Sequence, residues 1–332
     1  MLRSWIASPE PATCHLVTCP FAGGGSGAFR SWRSIEDIGL NISLAICPGR
    51  DHRMSEPAAS DINTLANRLA DELATASRPG KLVLAGHSMG AHVAFEACLR
   101  LEQRGTAPNA LVLPGCHAPH PRGRRLLSQR SDRAFVEQLI EIGGTDAGLL
   151  SDPTLLSIFL PMLRDDVRIT EAYRRLAPPA APPVATRTLL VCGSRDTEVS
   201  REEVAAWREW LRHADEQIAI SGDHFYVTRR PRALLRHIIR SRVDFRRRLI
   251  GERCQGARDV RAIGIGRHVV RPRYPNADIA LSSESAFAHS SFRRGSSVSE
   301  VHMRTGRTPM ACAWCRARHN WRRCSPVDRS IR

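Results

Sequence analysis

The sequence predicts an α/β fold, a mostly parallel central sheet with helices on both faces and a helical insertion over one end. Three observations carry this. Short apolar runs of strand length alternate with segments of helical period along residues 14–116 and again along 188–243, the pattern of successive βα units. Between them, residues 117–187 contain no clear strand. One strand also runs straight into Gly86-His-Ser-Met-Gly90 and then into a helical pattern.

That third stretch organises the chain. Leu82 to Ala85 read as a buried strand and Ala91 to Leu101 as a helix, so the G-x-S-x-G between them has the strand-turn-helix context of a nucleophile elbow. Such a turn places Ser88 at a strained apex with its hydroxyl above the sheet edge. Gly86 and Gly90 flank it because a Cβ at either would crowd the neighbouring strand and helix. Ser88 also opens a helix, whose unpaired N–H groups and dipole favour developing negative charge. With Gly and Ser each near 7% of residues, the bare pattern arises by chance in about one chain in ten of this length. Its context and partners therefore decide.

In chain order, residues 1–13 read as an extended lead-in containing Pro9 and Pro11. His15–Cys19 is a short buried strand followed by Pro20-Phe-Ala-Gly-Gly-Gly-Ser-Gly27. This loop meets neither G-x-x-x-x-G-K-[ST] nor G-x-G-x-x-G, so a phosphate cradle is disfavoured. The favoured reading is an oxyanion loop, whose bare backbone approaches a reacting carbonyl. Asn41–Cys47 is the next strand, closed by Pro48-Gly49 and a polar loop Arg50-Asp-His-Arg53. Asp61–Thr75 is a helix with Ile62, Leu65, Leu69 and Leu73 on one face and Asp61 as N-cap. Ala110–Leu113 is a strand. Helices follow near Asp132–Ile142 and over Asp152–Leu176, and the Pro178–Pro183 run closes the insertion. Seventy residues of helix and loop between strands read as a lid over the strand ends, or as a satellite helical subdomain with no gating role. Thr188–Val191 resumes the sheet, Glu202–His213 is a helix, Gln217–Ile220 a strand and Ala233–Val243 a last amphipathic helix.

Composition separates a main domain from a tail. The net charge of +16 on 332 residues is unevenly placed: residues 245–332 hold 19 arginines and 6 carboxylates, leaving 30 basic and 27 acidic groups in the first 244. The basicity therefore says nothing about a substrate of the main domain. Lys81 is the single lysine, which reads as coding bias rather than selection of arginine chemistry. Cys14, Cys19, Cys47, Cys98, Cys116 and Cys192 lie in apolar strand or helix patterns and read as small buried hydrophobes. With no secretory leader pattern and no apolar run near 18 residues, the chain reads as a soluble, reduced, cytoplasmic monomer.

Acyl transfer from a serine needs a base within hydrogen-bond reach and an acid to orient that base. In an α/β-hydrolase these follow in the order Ser, Asp or Glu, His, on loops at strand C-termini. Asp196 follows the Thr188–Val191 strand and His224 the Gln217–Ile220 strand. The expected roles are Ser88 as nucleophile, His224 as general base and then acid, and Asp196 as orienter. The backbone N–H groups of Met89 and of Ala22 in the Phe21-Ala-Gly23 turn are expected to hold the oxyanion. Of the rival histidines, His87 and His92 flank the elbow as packing or surface groups. His15, His52, His117, His120 and His213 fail the order test or lie in helix. Asp223 competes with Asp196 but is adjacent to the base that it would have to orient.

The chain resembles the type II (editing) thioesterases of nonribosomal peptide and polyketide synthesis. The matching pieces are Pro20-Phe-Ala-Gly-Gly24, Pro48-Gly-Arg50, Gly86-His-Ser-Met-Gly90, Ala118-Pro-His120, Gly143-Gly-Thr-Asp146 and Leu160-Pro-Met-Leu-Arg-Asp-Asp166. Tyr173, Gly193-Ser-Arg-Asp196, Trp207 and Gly222-Asp-His-Phe-Tyr226 complete them. The resemblance covers roughly residues 12–242. It implies a serine thioesterase that frees stalled or wrongly primed acyl and aminoacyl groups from the phosphopantetheine thiol of acyl- or peptidyl-carrier domains. It also implies a lid shaping access for the pantetheine arm, with no cofactor. Two alternatives stay open: a small-molecule carboxylesterase using the same triad, and a catalytically silent hydrolase-fold interaction protein recruited by its tail.

The domain so defined spans residues 1–244, with the lid at about 117–187. Residues 245–332 have no counterpart in the resemblance and read as a disordered Arg-rich tail, whether a genuine extension or read-through sequence. Binding to nucleic acid or an acidic surface rests on charge alone. Cys312-x2-Cys315-x3-His319-x4-Cys324 approaches a zinc knuckle, but its middle spacing is short and glycine turns are missing, so no metal is expected.

Overall fold

A computed structural model describes residues 1–240 except 7–13, 36–39, 76–79, 122, 150 and 215. The predicted Arg-rich tail, with its Cys312–Cys324 cluster, lies outside the described residues.

Seven strands form one sheet: β1 Leu2–Ile6, β2 Cys14–Cys19, β3 Asn41–Ala45, β4 Lys81–Gly86, β5 Ala110–Pro114, β6 Thr188–Gly193 and β7 Glu216–Ile220. Their spatial order is β1-β3-β2-β4-β5-β6-β7. Every pairing is parallel except β1 with β3, which is antiparallel. The chain thus reverses direction at β2, and β4 enters the centre of the sheet.

Side-chain alternation divides each central strand between two cores. Val17, Cys19, Leu84, Leu111, Leu113, Leu190 and Cys192 face one side. There they pack with Leu65 and Leu69 of α1 (Ile62–Thr75) and with Val93, Phe95 and Ala97 of α2 (Met89–Gln103). Leu16, Val83, Ala85, Val112, Leu189 and Val191 face the other side, against Phe29 and Trp32 of a 3-10 segment (Ser26–Ser34) and Leu234, Leu235 and Ile238 of a helix at 231–240. Helices cover both faces, so the continuous apolar strands stay dry. α1 starts where expected: the Asp61 carboxylate accepts from the Thr64 N–H at 2.7 Å. Lid helices α3 (Asp132–Ile142) and α4 (Pro153–Ala172) lie in the stretch read as strand-free. Phe135, Val136, Leu163 and Val167 give them a small core of their own.

Several elements depart from the sequence reading, among them the following. Residues 2–6 are not merely a lead-in but pair with β3 as an edge strand. The 3-10 segment at Ser26–Ser34 had no counterpart in the sequence reading. The helix expected over Glu202–His213 is cut short: α5 covers Arg201–Ala205 and tightens to 3-10 over Ala206–Glu209. Trp207 and Trp210 explain this. Both are buried, with indole N–H groups donating to the Cys116 carbonyl at 2.9 Å and to His120 Nδ1 at 3.0 Å. Three residues per turn put positions i and i+3 on the same line, which delivers both rings to the core.

Candidate active site

Ser88 stands at the C-terminal end of β4, where the strand turns into α2. Its φ of 53° and ψ of −119° lie outside the ordinary regions for an L-residue, so the turn is strained. The flanking glycines are sterically required. A Cβ on Gly86 would lie 1.9 Å from the Gly90 carbonyl oxygen, and one on Gly90 would lie 2.3 Å from that of Cys19. Each glycine therefore admits the other arm of the turn or the end of β2. The Ser88 N–H donates to the Pro114 carbonyl and that of His87 to Cys19, both at 3.1 Å, which bolts the turn to the two strands beside β4. The Ser88 hydroxyl does not cap its own helix; it borders a cavity of about 610 Å³.

His224 borders the same cavity, from the turn after β7. Its Nδ1 lies 2.9 Å from Oδ2 and 3.1 Å from Oδ1 of Asp196, so an Nδ1–H donated there leaves Nε2 as the basic nitrogen. The Asp196 side chain is wholly shielded from solvent. Its Oδ1 also accepts from the backbone N–H of Glu198 at 2.9 Å and of Val199 at 3.2 Å. Burial alone would raise the Asp196 pKa; the bond and charge of His224 outweigh it, and the carboxyl sits below its ordinary range. The loops carrying Asp196 and His224 are pinned together, since the Arg195 N–H donates to the Gly222 carbonyl at 2.9 Å. A Cβ on Gly193 would meet the Asp223 carbonyl at 2.8 Å.

Asp223 serves elsewhere. Its carboxylate pairs with Arg229 and accepts from the Phe225 N–H. His87 and His92 are packing groups, not surface groups, each 1% exposed. The His87 ring lies 4.8 Å from that of His224, centroid to centroid, and its Nδ1 is 3.0 Å from the Pro114 carbonyl. Burial first, and His224 second, push its pKa down to about 3, so a neutral ring backs His224.

Of the two expected oxyanion donors, Met89 follows Ser88 in the chain and Ala22 lines the same cavity. Met89 opens α2, so its N–H is among those without a carbonyl partner inside the helix. Ala22 borders the cavity. The next amide, that of Gly23, is already committed to Asp166 Oδ2 at 2.7 Å. Among the described residues, no group of three or more His, Cys, Asp or Glu side chains could hold a metal ion. Nor is any helix there long and apolar enough to cross a membrane.

A family model described as a thioesterase domain matches residues 14–241. The chain belongs to the thioesterase family. This thioesterase is 40% identical over 223 residues to a probable anguibactin biosynthesis thioesterase, AngT, of Vibrio anguillarum, a match covering 67% of this chain and 88% of the relative. Among solved structures, the type II thioesterase YbtT from the yersiniabactin NRPS/PKS pathway superposes with a TM-score of 0.70 at 46% identity. It covers 72% of this chain and 97% of its own. RedJ, a thioesterase from the prodiginine pathway of Streptomyces coelicolor, gives 0.61 at 30% identity, covering 71% and 90%. The fold is accordingly that of an α/β-hydrolase with a helical lid.

The sequence reading assigned no role to two polar clusters of this thioesterase. Arg50, 5% exposed, and Asp166, 6% exposed, form a bidentate pair at 2.7 and 2.8 Å. Glu96 of α2, 1% exposed, accepts from the Tyr173 hydroxyl at 2.7 Å and from Arg175 and Arg100. A signal was present for the first. Asp166 falls on the apolar stripe of α4 between Leu163, Val167 and Ile169, where an ionised group demands a partner.

Proposed function

We propose that this thioesterase hydrolyses stalled or aberrant acyl and aminoacyl groups from the phosphopantetheine arm of carrier proteins in nonribosomal peptide or polyketide synthesis. Ser88 is the nucleophile, His224 the base and then acid, and Asp196 the orienter of the imidazole. One observation carries the reading: a strained serine and a histidine held through Nδ1 by a buried carboxylate border one cavity beneath a lid. The printed pathways of AngT and YbtT support the substrate class.

In acylation, His224 Nε2 takes the Ser88 proton as Oγ attacks the thioester carbonyl. The Met89 and Ala22 N–H groups receive the oxyanion, at a point where the α2 dipole also favours negative charge. Collapse of the tetrahedral intermediate breaks the C–S bond. The thiolate departs and recovers the proton from His224, needing less acid assistance than an alkoxide. Water, deprotonated by the same nitrogen, then cleaves the acyl-serine ester and frees the acid. The ionised Asp196 stabilises the imidazolium formed in both halves.

We assign this activity to residues 1–244 of a cytoplasmic monomer, and none of it to residues 245–332. The six buried free cysteines of the described residues suit a reducing compartment. The deciding experiment is release of acetyl or aminoacyl groups from a loaded carrier domain by the wild type and by Ser88→Ala. Loss of release in a folded variant is expected. Brisk cleavage of p-nitrophenyl esters with acyl-carrier thioesters left untouched would favour a carboxylesterase instead, and unchanged turnover in Ser88→Ala would remove the elbow from the mechanism.

A further inference from the structure

The glycine-rich turn that supplies Ala22 is closed by one backbone bond of its own, from the Gly24 N–H to the Phe21 carbonyl at 2.8 Å; the other bonds that hold it come from its neighbours. The Gly23 N–H donates to Asp166 Oδ2 at 2.7 Å, and the Gly24 carbonyl accepts from Arg50 Nη1 at 3.2 Å. Further along, the N–H and hydroxyl of Ser26 donate to Asp51 at 2.8 and 2.7 Å. Arg50 and Asp51 come from the loop after β3. Asp166 comes from α4, the lid helix. Its two oxygens gather the Gly23 amide and both terminal nitrogens of Arg50, while Arg50 also reaches the Pro48 carbonyl at 3.3 Å. Leu163, one turn earlier on α4, lies so close that a Cβ on Gly23 would sit 2.3 Å from its Cδ2.

A buried ion pair is a poor device for stability alone, since well-packed apolar residues of similar volume usually do as well. This one has a geometric consequence. A single lid carboxylate sets both the peptide unit after Ala22 and the guanidinium that holds the Gly24 carbonyl. We propose that Asp166 and Arg50 are positioning residues of the oxyanion loop, coupling the seating of lid helix α4 to the assembly of the oxyanion hole. Lifting α4 removes the acceptor from the Gly23 amide and from Arg50 together, and the turn loses the alignment of its Ala22 N–H. Turnover is then confined to the state with the lid helix seated. The inference rests on the reading of Ser88 as nucleophile and of this turn as the oxyanion loop.

The test compares wild type, Asp166→Ala and Asp166→Asn on an acyl-N-acetylcysteamine thioester, together with the affinity of each for a boronic acid that forms a tetrahedral anion on serine. Removal of one oxyanion donor lowers kcat by about 10²–10³, so a misaligned donor should lower it by about 10- to 100-fold in Asp166→Ala. KM should stay within about threefold, and boronate affinity should fall in step with kcat. Asp166→Asn keeps an acceptor for Gly23 and should recover most of the loss. Should Asp166→Ala fail to fold, the paired change Arg50→Met with Asp166→Leu leaves no unpaired buried charge and carries the same expectation. Hydrogen exchange of the wild type gives a further readout: the boronate should slow residues 22–25 and α4 together. Folded variants with kcat and boronate affinity within twofold of wild type, a change in KM alone, or independent exchange of loop and helix would each overturn the coupling. Ser88→Ala, run alongside, separates the two failures. If it still turns over, the nucleophile assignment falls; if it is inert while the Asp166 variants are unaffected, only the coupling falls.

Discussion

Mild acid should destabilise this enzyme through two histidines. His87 and His92 are each 1% exposed, and burial, the larger cause in both, holds their pKa at about 3. The nearby His224 and His117, respectively, add to the shift. His87 Nε2 and His92 Nδ1 make no hydrogen bond among the described residues, so a proton added at either places a charge on a buried ring. In the unfolded chain both rings titrate near 6.5. Because the native values are the lower ones, the unfolded chain binds more protons as the pH falls below about 6.5, and stability drops until the native rings titrate near 3. Each ring contributes a slope of about 1.4 kcal/mol per pH unit. Going from pH 6.5 to 5 therefore costs about 2 kcal/mol per ring and about 4 kcal/mol for the pair, against a total stability of about 5–15 kcal/mol for an ordinary domain. Asp196 and Glu96 do not confuse this window. Their native pKa values are lowered, so their stabilisation is intact above the ordinary carboxylate range near 4 and is lost only below it. The assay is the urea midpoint at half-unit steps from pH 7.5 to 5 for wild type, His87→Asn and His92→Asn. Each variant should start less stable at pH 7.5 yet show a slope shallower by about 1.4 kcal/mol per unit below pH 6. Slopes parallel to wild type in both variants would refute the reasoning.

Gly90→Ala should abolish soluble, active enzyme, because the added Cβ would meet the Cys19 carbonyl at 2.3 Å, within backbone that cannot yield; expression and thermal melting check it. Asp196→Asn should leave the melting temperature within a few degrees while lowering kcat by about 10³–10⁴, the imidazole losing its orienting anion; a loss under tenfold would transfer the orienting role elsewhere. Ending the chain after Val243 should leave thioester turnover unchanged, measured side by side with the full chain; a collapse of activity or solubility would give residues 245–332 a structural part.

Much of this protein is legible in its residues because much of its geometry is local. Gly86, Ser88 and Gly90 specify a turn within five positions, and that turn needs only the flanking strand and helix patterns to be recognised. The period of the apolar residues located α1, α2, α3 and the central strands, and Asp61 announced the start of α1. The order of Ser88, Asp196 and His224 along the chain narrowed the candidates without any coordinates. Tertiary structure decided what depends on distant partners. Leu2–Ile6 becomes a strand only because β3 offers it an open edge. The Glu202–His213 helix breaks off early because two tryptophans must reach the same core. Asp196 lies 28 residues before His224 and Asp223 beside it, and only folding shows Asp196 turned to His224 Nδ1 and Asp223 turned to Arg229. Arg50 and Asp166 are 116 residues apart, and no local pattern pairs them. Local backbone preference is written in neighbouring residues, whereas the pairing of a buried charge is settled where the chain returns to meet itself.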